Sequence, residues 1–358
     1  MDPIDLRSDF LARPTAAMRR AGARAADGPA SFGLREDPWQ RRLEARVAEL
    51  CGTEDALIFP TCTMANTTAL LLGARPGSCV PTQPDAHVLV SEAGAGAAWG
   101  GLWLRAVDAS GPGASAAMPS LAAWDDAMGQ APDAQRPPVQ LCVLENTHNR
   151  SGGIALPPDY VDAVVALARR RRVRLHLDGA RLLYAASALS VPVATLARGF
   201  DTVTLSLNKT LGAPVAGVLA ASRDAISEAL VLRQRLGGGL RPVGAACAAT
   251  LAGLDEPMQL DAVLALAARL ARGLSDCPGL SVLAPGVTTN LVVAALAAPQ
   301  HTADALARME AAGLRALSLA PGHVRFAVYR GIDTVAIDRS IAIVRAVMAA
   351  LPAASAAV

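Results

Sequence analysis

The sequence predicts an α/β protein: a large domain on a mostly parallel sheet with helices on both faces, then a smaller α/β domain. Three features predict it. A strand, a helix and a strand follow one another between residues 173 and 207, the pattern of a parallel βαβ unit with a right-handed crossover. A further strand, Ala56 to Phe59, turns directly into a helix. Past residue 246 an alanine-rich helical stretch leads to two short apolar runs, Leu291 to Ala297 and Val324 to Val328, of strand length.

In order, residues 1–45 read as an N-terminal arm and helix, 46–245 as the large domain and 246–358 as the small one. After the first strand, Pro60-Thr61-Cys62-Thr63 turns into a helix from Met64 to Leu72. Free amides and hydroxyls there would suit an anion, although many helices start with Thr and bind nothing. The glycine-rich stretch from Gly94 to Gly101 matches no dinucleotide fingerprint, and its small residues allow close helix packing. Residues 109–131, rich in Gly, Pro and small side chains, read as a surface segment. Pro157 to Arg172 has helical spacing and ends in four arginines, which complement the negative end of a helix dipole. Val173 to Arg181 is a buried strand with a polar end, Leu182 to Arg198 the crossover helix, and Thr202 to Leu207 the next strand. The tail, Ala349 to Val358, reads as a frayed helix end.

Composition excludes several classes. Basic side chains number 33 and acidic ones 31, and a net charge of +2 gives no field suited to nucleic acid or an acidic membrane. At 52% hydrophobic and 18% charged, the chain is no disordered tail. Mean hydropathy is positive, yet no run approaches the roughly 18 uninterrupted apolar residues of a spanning helix. Met1-Asp2-Pro3-Ile4-Asp5 lacks the basic start of a signal peptide. Six cysteines are scattered with no CxxC pair and no His at ligand spacing. Neither a disulfide scaffold nor a metal site is expected, and a reducing cytoplasm is.

One count points to chemistry. Of the 33 basic residues, Lys209 alone is lysine. Where Arg serves as every other cation, a lone Lys marks a task Arg cannot do: losing its proton and forming a Schiff base. Lys209 follows the second strand of the βαβ unit, and Asp178 lies near the end of the first. Open α/β sheets bind ligands at those ends. An amine and a carboxylate sharing that crevice fit pyridoxal phosphate, the amine taking the aldehyde carbon and the carboxylate the pyridine nitrogen. Alone, Asp178 would read as a turn cap.

The chain resembles the low-specificity L-threonine aldolases, within the fold-type-I pyridoxal-phosphate enzymes and their β-eliminating lyase branch. The matching motifs run in order along most of it. They are Ile4-Asp5-Leu6-Arg7-Ser8-Asp9, Glu36-Asp37-Pro38 and Arg42-Leu43-Glu44, then Thr63-Met64-Ala65-Asn66 and His87 with Glu92-Ala93-Gly94. Glu145-Asn146-Thr147-His148-Asn149, His176 to Arg181, Lys209 with Leu211 to Pro214, Gly237 to Arg241 and Val324-Arg325-Phe326 follow. The resemblance implies a seven-stranded, mostly parallel sheet and assigns roles. Lys209 would be the Schiff-base lysine, Asp178 the partner of the pyridine nitrogen, and His87 the residue stacked on the ring. Thr63 and the amide of Cys62 would bind phosphate, with Arg241 completing the seat across a subunit boundary of a homodimer or homotetramer. Ser8, carried in by the arm, would hold the substrate carboxylate with Arg181 and Arg325, while His148 would approach the β-hydroxyl. No metal is implied.

The implied reaction cleaves or forms the Cα–Cβ bond of a β-hydroxy-α-amino acid, giving glycine and an aldehyde. β-Elimination and racemisation stay open on the same residues, as does a non-catalytic scaffold that carries the cofactor. Several positions depart from the family pattern. Cys62 stands for Gly, Asn208 for Ser, Gln234 for Lys, and Phe10 for Thr, while Leu34 and Ser91 replace aromatic residues. With Arg35, Tyr329 and Arg330 they suggest an altered side-chain pocket, with the two arginines either lining it or lying in solvent.

Overall fold

A computed structural model describes residues 3–29, 31–283 and 288–351. The N-terminal arm crosses to the far domain: β1, Ile4–Asp5, pairs in parallel with Leu314–Arg315. Ser8 then caps a 3-10 turn over Asp9–Leu11, its Oγ accepting from the Phe10 amide at 3.2 Å. Thr15 caps α1, Ala16–Ala26. Asp37 caps α2, Pro38–Cys51, which stops at Gly52 with φ 69°. The boundary expected at residue 45 falls inside α2, whose Leu43, Val47 and Cys51 share a core with Ile58 of the large domain.

The large domain carries β2 (Asp55–Phe59), α3 (Cys62–Gly73), β3 (Cys79–Thr82) and the short helices α4 (His87–Val90) and α5 (Ala95–Gly100). Next come β4 (Trp103–Ala106), α6 (Leu121–Gly129), β5 (Leu141–Glu145), α7 (Pro158–Arg171) and β6 (Arg174–Gly179). The domain continues with α8 (Leu182–Leu189), α9 (Val193–Ala197), β7 (Thr202–Ser206), α10 (Leu207–Leu211), β8 (Gly217–Ala221) and α11 (Arg223–Arg235). Its seven strands lie in the order β2-β8-β7-β6-β5-β3-β4. The pairs from β4 to β7 are parallel, and β8 is antiparallel to both neighbours. Strands β5, β7 and β8 are buried along their whole length, which is why they read as continuous apolar runs.

Two expectations change. The single crossover helix is two, because Ser190 adopts φ 54° and Pro192 cannot continue a hydrogen-bonded helix. The stretch 109–131 is not all surface: α6 buries Trp124 completely, and its indole N–H donates to the Tyr160 hydroxyl at 2.9 Å. The close packing expected near Gly96 is present, since a Cβ there would lie 2.7 Å from Leu104.

The alanine-rich stretch is also two helices, α12 (Gly244–Asp255) and α13 (Leu260–Ser275), parted at Glu256-Pro257 because proline lacks the amide. Then follow β9 (Leu280–Leu283), β10 (Leu291–Leu296), α14 (Thr302–Ala311), β11 (Leu314–Arg315), β12 (Leu317–Ala320), β13 (His323–Ala327) and α15 (Thr334–Ala350). Four strands form an antiparallel sheet, β12-β13-β10-β9, over a second core that includes Leu270, Val292, Phe326 and Ile337. The tail expected to fray beyond α15 lies, from residue 352, outside the described residues.

Candidate active site

Parallel register brings the ends of β5, β6 and β7 together: Glu145 lies opposite Asp178, and Asp178 opposite Thr204. β7 runs straight into α10, a single turn that buries Lys209 to 5% exposure. A cleft of about 220 Å³ opens there. Lys209 lines it with Ser8, Phe10, His87, Arg181 and Arg325, and Lys209 Nζ stands 5.0 Å from the centre of the Phe10 ring.

Two guanidinium groups converge on one oxygen. Arg181 is held in a fork by Asp9, Nε to Oδ2 at 2.6 Å and Nη2 to Oδ1 at 2.8 Å, leaving Nη1 toward Asn149 Oδ1 at 3.4 Å. Arg325 donates from Nη1 to the same Asn149 oxygen at 2.8 Å and from Nη2 to the Arg7 carbonyl at 3.0 Å. Its buried Nε has no hydrogen-bond partner among the described residues. Burial and the neighbouring Arg181 push the Arg325 pKa down to about 10. Burial disfavours the Asp9 charge, but Arg181 and Lys209 outweigh it and hold that carboxyl below its usual range. Two guanidinium groups side by side, one with an unused donor, are the chemistry that suits a carboxylate.

The floor is a buried polar row. Asn66 Nδ2 donates to Glu92 Oε1 at 2.8 Å and to Asp178 Oδ2 at 2.9 Å, and Glu92 Oε1 also meets His87 Nδ1 at 2.8 Å. Asp178 Oδ1 accepts from the Ala180 amide at 3.1 Å. Burial and the nearby Asp178 raise the Glu92 pKa despite its partners. Burial works against charge on His87, yet the hydrogen bond to Glu92 and the two carboxylates raise its pKa above 6.5. His87, Glu92 and Asp178 bring ligand-type atoms within 4.8 Å of one another, and the hydrogen bonds just named join Asn66 and His87 to one oxygen of Glu92 and Asn66 to one of Asp178.

Other expected residues lie elsewhere. His148 is fully buried, with Nδ1 on Ser151 Oγ at 2.8 Å and Nε2 on the Pro84 carbonyl at 2.9 Å, so no ring nitrogen faces the cleft. Arg241 lies outside the lining, its guanidinium 5.5 Å over the Phe32 ring and donating to the Phe32 carbonyl. Cys62 and Thr63 open α3, capped by Thr61. A Cβ at Gly217 would come within 2.9 Å of the Cys62 amide, so only glycine lets β8 end against that helix start. Burial and Asp178 push the Cys62 thiol well up.

Of the divergent positions, Phe10 and Ser91 line the cleft. Arg35 does not: it is paired with Asp55 and Glu44 beside the start of β2, at the opposite end of the sheet. Arg330 donates to the Leu211 and Arg13 carbonyls, and the Tyr329 hydroxyl donates to the Asp5 carbonyl at 2.9 Å. Both arginines are occupied by their own chain, which removes them as pocket charges. The roles of Asp9, Asn66 and Asn149 were not read from sequence. They sit inside the quoted motifs, and that is the one signal they gave.

Comparison with known proteins places the sequence and the fold. A family model described as beta-eliminating lyase matches residues 5–297. A probable low-specificity L-threonine aldolase of Arabidopsis thaliana is 35% identical over 94% of each chain. The low specificity L-threonine aldolase of Escherichia coli K12 is 36% identical over 71% of this chain and 73% of its own. The solved threonine aldolase of Leishmania major superposes with a TM-score of 0.81 at 19% identity, covering 97% of this chain and all of that one. Its fold, and this one, is that of the fold-type-I pyridoxal-phosphate enzymes. The chain belongs to the beta-eliminating lyase family, among the low-specificity L-threonine aldolases.

Proposed function

We propose that the chain is a pyridoxal-phosphate-dependent aldolase that cleaves or forms the Cα–Cβ bond of β-hydroxy-α-amino acids, with glycine and an aldehyde as the other side of the reaction. The observation that carries this is the sole lysine, buried in a cleft that it lines with two arginines, while the buried Asp178 acts with it on the same His87. The donor set fits the cofactor. Lys209 supplies an amine, Asp178 a buried carboxylate for a protonated ring nitrogen, and the first amides of α3, which a helix leaves without internal acceptors, supply a phosphate seat.

When bound, the cofactor supplies an electron sink for the pair left on Cα. The chain does the rest. Arg181, Arg325 and Ser8 fix the substrate carboxylate and so decide which bond to Cα stands ready to break. His87 offers the ring nitrogen not bound to Glu92, Nε2, to take the β-hydroxyl proton in cleavage and return it in condensation. His148, with both nitrogens engaged, orients the segment around Pro84 and Ser151 instead.

Phe10, Leu317 and Leu319 give the cleft an apolar wall, and Ser91 leaves room beside it. This favours a substrate with an apolar or aryl side chain larger than that of threonine. Arg241 stands ready to serve a neighbouring copy, so the working unit is a homo-oligomer, at least a dimer with a tetramer preferred. Six free cysteines suit a reducing cytoplasm. Among the described residues no helix is long and apolar enough to cross a membrane.

Lys209→Arg tests the core of this reading. Wild-type protein with pyridoxal phosphate should be yellow and release aldehyde plus glycine from a β-hydroxy amino acid; the variant should do neither, because Arg cannot form the imine. A keto acid with ammonia, or inverted amino acid without aldehyde, would assign elimination or racemisation instead. A protein that stays colourless with added cofactor would overturn the reading.

A further inference from the structure

Asn66 is 1% exposed on α3 and touches three side chains from other elements. Its Nδ2 serves Glu92 and Asp178, and its Oδ1 faces His176 Nε2 at 3.1 Å. The orientation follows from chemistry. Ionised carboxylates only accept, so the edge facing them is the NH2, with one proton for each. The oxygen then needs a donor, which makes His176 the Nε2–H tautomer. Its Nδ1 lies 2.9 Å from the Thr202 hydroxyl and 3.2 Å from the Thr202 carbonyl, and with the proton on Nε2 it accepts from the hydroxyl. Burial lowers the His176 pKa to about 4, so the ring stays neutral and the direction of the row is fixed.

We infer that Asn66 is a positioning residue that couples Asp178 to Glu92: one neutral amide, locked by His176, gives one proton to each of two adjacent buried carboxyl groups and so sets what Glu92 presents to His87 and Asp178 to the cofactor ring nitrogen. Without that amide, Glu92 loses a hydrogen bond that favours its charge, while burial and the nearby Asp178 still oppose it. The groups facing His87 are Glu92 at Nδ1, Glu145 at the backbone amide, and Asp178 and Lys209 across the cleft. Those near the two carboxylates include His87, His176 and the Cys62 thiol, with Lys209 and Arg181 also close to that thiol. Burial and Asp178 already raise the Glu92 pKa, so losing the amide should protonate Glu92 and remove its support from His87.

The consequence at the ring nitrogen rests on the proposed cofactor, but the test is read on protein free of it, so the two can fail separately. The chain has five histidines, which makes a nuclear magnetic resonance titration of labelled imidazoles tractable. The His87 midpoint should lie above 6.5 in the wild type and fall by about one pH unit in Asn66→Ala. His176→Leu should lower it similarly, while His176→Gln, which keeps an N–H aimed at Asn66, should restore it. A folded Asn66→Ala with an unchanged His87 midpoint would overturn the coupling. So would equal midpoints in His176→Leu and His176→Gln, the pair that decides the matter if Asn66→Ala does not fold.

Discussion

At His87, burial and partnership pull in opposite directions, and partnership prevails: the Glu92 contact and two nearby carboxylates stabilise the imidazolium. A base must be neutral to accept a proton. Cleavage should therefore rise with pH through a midpoint above 6.5, and His87→Asn should flatten that limb in a kcat/KM profile. Phe10 poses the complementary question of selectivity. It replaces the family's Thr and stands beside Lys209, whereas Arg35 and Arg330 are spent on internal partners. Phe10→Thr should thus shift the preference from phenylserine toward threonine by about tenfold, the scale of a few methylene contacts. Equal selectivity in wild type and variant would remove Phe10 as the determinant. Identity alone flagged this residue, and its neighbours put it in the cleft lining while the two arginines lie outside it.

Among the elements, α10 shows how little regular structure a functional side chain needs. One turn closed by Gly212 at φ 63° holds Lys209, and Arg330 ties the Leu211 carbonyl of that turn to the Arg13 carbonyl of the arm. The start of α3 is fixed in the same way, by Thr61 as cap and by Gly217 letting β8 approach. Helix α11 contains a less favourable feature. Arg233 is fully buried and donates to the Ile58 carbonyl at 2.7 Å, while Nε and Nη2 find no acceptor among the described residues. Burial lowers its pKa. A buried cation with unused donors is costly, so Arg233→Met should leave stability unchanged or add about 1–2 kcal/mol in chemical denaturation. A large loss would show that the cation itself holds α11 on β2.

For the molecule as a whole, the cleft is a meeting of three parts rather than a feature of one. The arm supplies Ser8, Asp9 and Phe10, the large domain Arg181, Lys209 and His87, and the small domain Arg325. A further contribution is expected from a neighbour. Arg241 lies outside the cleft of its own chain, so sedimentation should find a dimer or larger in the active preparation, and a fully active monomer would exclude the shared phosphate seat. The sequence by itself determined the class of sheet and singled out Lys209 and Asp178, but not the break between the two cores: Cys247, Ala249 and Leu254 of α12 belong to the first core, and the arm residues Ile4 and Leu6 to the second. Apolar runs and their succession along the chain are local properties, and a lone lysine among arginines is visible by counting. It could not determine which polar residues face each other. Asn66 reaches Asp178 across 112 positions and Arg181 reaches Asp9 across 172. It likewise left His148 looking like a cleft residue until packing closed both ring nitrogens. Side-chain direction and hydrogen-bond satisfaction inside a buried site are set by atoms brought together only when the chain folds, and that step lies with the tertiary structure.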